Sequence, residues 1–61
     1  MSKEYVPIDY DFVEAETDLA KCYMIDDEPI WFPKSVHEED DDPKRKVIWV
    51  EQWFAEQKGL I

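Results

Sequence analysis

Two apolar runs flank a short acidic segment in residues 19–32, which read LAKCYMI-DDEP-IWF. Alternation along the first run puts Cys22 and Met24 on one face of a strand and Tyr23 on the other. The acidic segment between the runs supplies turn residues. The stretch therefore predicts an antiparallel hairpin, and the rest of the fold is predicted around it.

Another strand and a helix are predicted on the C-terminal side of this hairpin. Residues 46–49 read KVIW, and β-branched and aromatic residues of this kind are typical of a strand. Residues 50–60 place Trp53 and Phe54 at the period of an amphipathic helix. Gly59 is expected to end that helix in a Schellman-type turn, with the following leucine packing back on it.

These elements predict an α+β domain, a small three-stranded antiparallel sheet with one C-terminal helix covering a face. Since a chain of 61 residues has room for a single core, we expect one domain over residues 1–61. Residues 1–16 show no sustained period and are expected to form an extended N-terminal arm, with the sheet and helix in residues 17–61. Lys34–Val36 is expected to continue the second strand, and Trp53 is expected in the core.

The chain is strongly acidic, and its charge is unevenly distributed. Sixteen acids and seven bases give a formal net charge of -9, and residues 1–42 hold fourteen of the acids with three lysines. Five acids are consecutive at 38–42, and three more lie in the hairpin turn at 26–28. Such a surface is repelled by phosphate backbones and anionic lipids, so its expected partner is cationic.

The compartment is predicted from cysteine usage and hydropathy. Cys22 is the only cysteine, so an intramolecular disulfide is impossible and a reducing compartment is favoured. The N-terminal residues contain no apolar run typical of a signal peptide, and no segment approaches the roughly 20 apolar residues of a membrane span. We expect a cytoplasmic protein.

Catalytic, metal and cofactor sites are not predicted. His37 is the only histidine and is expected to be exposed, and Glu38 beside it would point to the opposite face of a strand. Cys22 lies in an apolar strand and is expected to be buried and unreactive. The acidic segments lack the ligand spacing of an EF-hand, and Gly59 is the only glycine, so no phosphate-binding loop is expected. We expect a binding protein, not an enzyme.

The block WFPKS at residues 31–35 resembles a W-(I/L/F)-P-K-S motif of small phage and prophage proteins. The similarity covers roughly residues 16–60. It implies a viral or mobile-element origin, and hence the cytoplasm of a host cell. In its character as a short acidic protein, the chain is also similar to phage-encoded inhibitors of host defence, including anti-CRISPR and anti-restriction proteins.

The acidic run predicts mimicry of nucleic acid. An extended acidic segment presents one charge every ~3.3 Å, close to the roughly 3.4 Å between phosphates of one DNA strand. We therefore predict a monomer or homodimer that binds the basic nucleic-acid-binding site of a CRISPR effector or nuclease subunit, anchored by an exposed aromatic residue. The predicted partner-binding residues are Asp26, Asp27, Glu28, Trp31, Glu38, Glu39, Asp40, Asp41 and Asp42.

Two other interpretations stay open at this point. The acidic run can be a solvated loop without a partner, as blocks of like charge often are. The chain can also be a non-inhibitory accessory factor of phage replication or recombination. That factor would bind a phage protein, or stack single-stranded nucleic acid, through residues 31–35 and the basic residues 44–46, although sixteen acids oppose direct binding to nucleic acid.

Overall fold

The computed structural model describes residues 3–61, and this part of the chain contains six strands and one α-helix. A short 3-10 turn, Lys34–Val36, connects the fourth strand to the fifth. The elements are β1 (Tyr5–Asp9), β2 (Phe12–Glu16), β3 (Ala20–Ile25), β4 (Glu28–Pro33), β5 (His37–Glu39), β6 (Val47–Glu51) and α1 (Gln52–Gln57).

The strands form two three-stranded antiparallel sheets within residues 3–61. Sheet 1 has the order β1-β6-β5, and sheet 2 has the order β2-β3-β4. The prediction of a single three-stranded sheet with a helix on one face is therefore wrong. Residues 3–61 form a small, mostly-β domain whose one short α-helix follows the central strand of sheet 1.

The error arises in the first sixteen residues, where the expected arm supplies one strand to each sheet. β1 pairs with β6, with Ile8 opposite Ile48, and β2 pairs with β3, with Phe12 opposite Met24. β2 is exposed along its whole length, so it lacks the apolar alternation of a half-buried strand. β1 does alternate, with Val6 and Ile8 toward the core, but the strand is short and contains Pro7. Pro7 is tolerated in β1 because an edge strand has one side without ladder hydrogen bonds.

The predicted hairpin is confirmed as β3 and β4, which pair from Ala20 opposite Pro33 to Ile25 opposite Glu28. Its two-residue turn holds Asp26 at φ 51° and Asp27 at φ 66°. Positive φ at both central positions is the pattern of a type I′ turn, whose twist matches that of the flanking strands. The expected continuation of β4 beyond Pro33 is wrong, since a 3-10 turn begins there.

The predicted C-terminal strand is confirmed as β6, although it extends to Glu51. Val50 and Glu51 stay in the strand because β1 offers pairing partners for both, so the helix begins only at Gln52. The predicted Schellman-type end is also confirmed. The Gly59 N–H donates to the Glu56 carbonyl at 3.1 Å, the Leu60 N–H donates to the Ala55 carbonyl at 2.9 Å, and Gly59 has φ 72°.

The core lies between the two sheets and is closed by the helix. Tyr23 and Phe32 from sheet 2 are fully buried, and their rings meet edge to face with centroids 5.5 Å apart. Phe32 also lies 5.6 Å from Phe54 of α1. The buried cluster consists of Ile8, Tyr23, Ile25, Phe32, Val36, Ile48, Val50, Phe54 and Ala55.

Trp53 was expected in this core, and that expectation is wrong. Its side chain is 55% exposed and its indole N–H donates to Glu51 at 3.0 Å. A helix of six residues presents little more than one turn to the core, and here Phe54 and Ala55 occupy that position.

We predict opposite outcomes for two neighbouring substitutions on α1. Phe54→Ala should cost about 3–5 kcal/mol, because it removes a buried ring, and a domain of this size has roughly 3–5 kcal/mol in total. Trp53→Ala should cost only about 1 kcal/mol, typical of a partly exposed position. Urea denaturation followed by far-ultraviolet circular dichroism measures both. A larger loss for Trp53→Ala would contradict this packing.

The hairpin turn should be improvable. The double substitution Asp26→Asn, Asp27→Gly gives the Asn-Gly pair that type I′ turns prefer. Glycine at position 27 removes the steric cost of a Cβ at positive φ. This gain should exceed the entropic cost of ordering glycine, so the free energy of unfolding should rise by about 0.5–1 kcal/mol. The control, Asp26→Asn with Asp27→Ala, removes the same charge and keeps a Cβ at φ 66°. An equal gain in the control would assign the effect to charge.

Candidate interaction surfaces

The acidic run begins inside sheet 1, where the sequence predicted a loop. Glu38 and Glu39 belong to β5, opposite Trp49 and Ile48 of β6. Because neighbouring residues of a strand point to opposite faces, these two carboxylates diverge. Glu39 turns toward sheet 2 and forms an ion pair with Lys21.

Asp40 is held inward by three contacts. Its Oδ1 accepts the indole N–H of Trp49 at 2.9 Å, and its Oδ2 accepts the backbone N–H of Asp42 at 3.1 Å. The Arg45 guanidinium lies 3.6 Å from the same Oδ2, and the Asp40 side chain is only 9% exposed. The hydrogen bond from Trp49, then that from Asp42, then the charge of Arg45 hold the pKa of Asp40 below its usual range. Asp40 therefore organises the segment.

We call residues 38–46 the acidic loop. Hydrogen bonds from backbone N–H groups fix the part of it that follows Asp40. Asp42 Oδ1 accepts the Lys44 N–H at 2.9 Å, and the Asp42 carbonyl accepts the Arg45 N–H at 3.1 Å. The carboxylates of Glu38, Asp41 and Asp42 are exposed and have no ion pair within residues 3–61. The acidic loop thus presents three outward carboxylates in place of the predicted evenly spaced row of five.

The hairpin-turn acids lie elsewhere. Asp26, Asp27 and Glu28 are exposed at the end of β3, whereas Glu39 meets β3 four residues earlier, at Lys21. At ~3.3 Å per residue, the two positions are about 13 Å apart along the strand. The predicted acidic residues therefore form two groups, one at each end of β3.

Trp31 lies on a third surface, the outer face of sheet 2. Cross-strand register places it beside Cys22, with Met24 opposite Phe12 on the same face. Trp31 is 46% exposed and Phe12 is 49% exposed, and none of the residues on the face is charged. This face, which we call the apolar face, consists of Phe12, Ala15, Ala20, Cys22, Met24, Pro29, Trp31 and Pro33.

The apolar face was only partly found from sequence. The alternation that placed Cys22 and Met24 together, and the expected exposure of Trp31, identified its centre. Phe12 and Ala15 were missed because β2 was not predicted. Cys22 is 1% exposed, which confirms its predicted burial. Burial, and then the charge of Glu14, raise the pKa of its thiol, so the unreactive thiol form is favoured.

His37 is buried, and its predicted exposure is wrong. Its Nδ1 lies 2.9 Å from the Pro33 carbonyl, which can only accept, so Nδ1 carries the proton. Nε2 is then left to accept the hydroxyl of Tyr23 at 3.2 Å. Burial lowers the pKa of His37, which favours this neutral form, whereas the bond to Pro33 acts in the opposite direction. His37 thereby satisfies the one polar atom of a fully buried tyrosine.

An open groove of about 280 Å³ runs beside His37 between the sheets. Its charges are paired: Lys21 with Glu39, and Lys34 with Glu16 at 2.8 Å. The hydrogen bond from Lys34, followed by its charge, lowers the pKa of Glu16. The groove is lined by residues from both sheets. Because both lysines are paired with carboxylates, these residues present no unpaired charge to a ligand.

No family model, curated protein or solved structure matches this chain. The resemblance carried by residues 31–35 thus stays a prediction. Within residues 3–61, the helix is too short and too polar to cross a membrane. The same residues contain no cluster of three or more histidine, cysteine, aspartate or glutamate side chains suited to a metal ion.

The role of Asp40 predicts a pH-dependent loss of stability. Because its folded pKa is below the unfolded value of about 3.9, its stabilisation is present above about pH 4 and is lost as the pH falls through the folded pKa. Asp40→Asn should therefore lower the free energy of unfolding near neutral pH, and its effect should be smaller at about pH 3.

Asp41→Asn is the matched control, since Asp41 is exposed and makes no side-chain hydrogen bond among the residues that the structure describes. Urea denaturation at both pH values measures the difference, and the Trp49 indole N–H resonance reports the contact directly. Equal effects of the two substitutions at neutral pH would contradict the anchoring role of Asp40.

Proposed function

We propose that this protein is a phage-encoded inhibitor that binds a basic nucleic-acid-binding site of a host defence protein. The acidic loop makes the contacts with that basic site, and the protein catalyses no reaction. The observation that carries the proposal is the ordered turn around Asp40, which holds that carboxylate inward and carries the exposed Asp41 and Asp42 beside the exposed Glu38 of β5. A preordered set of charges loses less conformational entropy on binding than a mobile loop does.

The mechanism is competition with DNA or RNA for lysine and arginine side chains. The exposed carboxylates take the positions of phosphates, and the net charge of -9 steers the protein toward a cationic groove. Affinity should fall with salt, because binding releases the ions that surround these charges. The targets to test first are CRISPR effectors and restriction nucleases in the host cytoplasm.

The carboxylates of the acidic loop are not regularly spaced. Asp40 is bonded to Trp49, and Glu39 is paired with Lys21. What supports mimicry is the ordered backbone of the turn that carries Asp41 and Asp42, next to the exposed Glu38 of β5. Complementarity to a particular basic groove then depends on the shape of this turn.

An accessory role in phage replication is the second candidate, and the exposed indole of Trp31 favours it. An aromatic residue on an open sheet can stack a base. The basic residues expected to assist it, Lys44 to Lys46, belong to the acidic loop, whereas Trp31 lies on the outer face of sheet 2. Direct binding of an oligonucleotide would favour this candidate.

The test is a competition assay with purified CRISPR effectors and restriction nucleases and a labelled oligonucleotide. The loop variant Glu38→Gln, Asp41→Asn, Asp42→Asn keeps Asp40 intact. We expect it to displace the oligonucleotide about tenfold less well than the unchanged protein, since exposed ion pairs contribute roughly 0.2–1 kcal/mol each.

The matched control is Asp26→Asn, Asp27→Asn, Glu28→Gln, which removes the same charge from the hairpin turn. Asparagine tolerates the positive φ of these turn positions, so the fold should be kept. We expect this control to inhibit almost as well as the unchanged protein. Equal losses in the two variants would show a non-specific charge effect, and no displacement from any target would reject the proposal.

A further inference from the structure

The outer faces of the two sheets differ sharply in charge. On sheet 1, the outer face carries the exposed Asp9 and Glu38 beside Val47 and Trp49, as their cross-strand register shows. Glu51 lies on the same face but is buried and pairs with Lys3. On sheet 2, the apolar face contains eight residues, and none of them is ionisable at neutral pH. Large exposed apolar areas on small soluble proteins mark sites of interaction.

Two exposed aromatic residues lie on opposite edge strands of the apolar face. Phe12 is on β2 and Trp31 is on β4, with exposed fractions of 49% and 46%. Between them, β3 contributes the smaller Ala20, Cys22 and Met24. Tryptophan is enriched among the residues that dominate protein–protein binding energies, especially where neighbouring contacts exclude water.

The surroundings of the apolar face are acidic. Residues 11–34 hold seven acids and two lysines, and both lysines are paired, Lys21 with Glu39 and Lys34 with Glu16. Glu14 lies at the irregularity in β2 and acts electrostatically on Cys22, which places its charge near this face. The acids in the strands of sheet 2 and in the segments next to them that form no ion pair within residues 3–61 are Asp11, Glu14, Asp18, Asp26, Asp27 and Glu28.

We propose that the apolar face is a second docking surface, for a protein whose contact area is apolar at its centre and bordered by lysine and arginine. Charge complementarity selects this occupant. A second copy would bring two acidic borders together, and an anionic membrane would repel the same carboxylates. The proposal is independent of competition with nucleic acid, because the apolar face and the acidic loop belong to different sheets.

The probe for this surface is an amphipathic helical peptide of leucine and lysine, with a leucine and glutamate peptide as its counterpart. Titration into the isotope-labelled protein should shift the Trp31 indole resonance and the amides of Phe12 and Met24. Trp31→Ala should weaken binding about tenfold or more, as expected for a central tryptophan. Trp53→Ala is the matched control, because Trp53 is 55% exposed but lies on α1, and it should leave affinity unchanged.

Several outcomes would overturn the proposal. These are shifts centred on Trp53 or on the acidic loop, equal binding of the glutamate peptide, or loss of the Trp31 shifts in the loop variant Glu38→Gln, Asp41→Asn, Asp42→Asn. Sedimentation of the free protein tests the remaining occupant: self-association that Trp31→Lys abolishes would assign the face to a second copy. Failure to displace oligonucleotides would reject the proposed inhibition, but peptide binding at the apolar face would still support a docking surface there.

Discussion

The structure depends on the burial of one tyrosine between its two sheets. Tyr23 is fully buried and contacts Phe32 of its own sheet and His37 of the other, with ring centroids 5.5 and 5.4 Å away. A three-stranded sheet of this size needs another layer against its apolar side to be stable. The phenolic oxygen would oppose that packing if it had no partner, since an unsatisfied buried polar group costs about 1–3 kcal/mol. The His37 imidazole supplies the partner.

This arrangement gives β3 two distinct roles along its length. Tyr23 and Ile25 point into the core, whereas Cys22 and Met24 belong to the apolar face, so the strand is apolar on both sides. Lys21 at its start forms the ion pair that brings β5 alongside. Glu39 of that pair belongs to the acidic loop, whose remaining residues follow β5 directly. The core, the apolar face and the acidic loop therefore take their relative positions from a single central strand.

Local signals in the sequence were sufficient for some elements and insufficient for others. The β3–β4 hairpin and the helix end at Gly59 follow from alternation, turn residues and a glycine at positive φ, all of which act within a few positions. β2 was missed although its partner β3 is near in sequence, because every residue of β2 is exposed and no apolar alternation results. β1 was missed because its partner β6 is far away in the sequence, with Tyr5 opposite Glu51 and Asp9 opposite Val47. The same holds for His37, whose partner is fourteen residues distant, and for Asp40, whose partner Trp49 is nine residues distant. Such contacts depend on topology, which a local pattern does not contain.

The irregularity in β2 has a consequence for the behaviour of the protein in a crowded cell. Strand edges with free N–H and C=O groups are templates on which further chains assemble into fibrils. β2 is such an edge, but its register shifts between Val13 and Ala15, and it carries the charged Glu14 and Glu16. A strand from another copy would meet an edge with an irregular hydrogen-bond register, and its own acidic residues would be repelled by Glu14 and Glu16. The protein can therefore expose the aromatic residues of the apolar face without assembling into fibrils through the β2 edge.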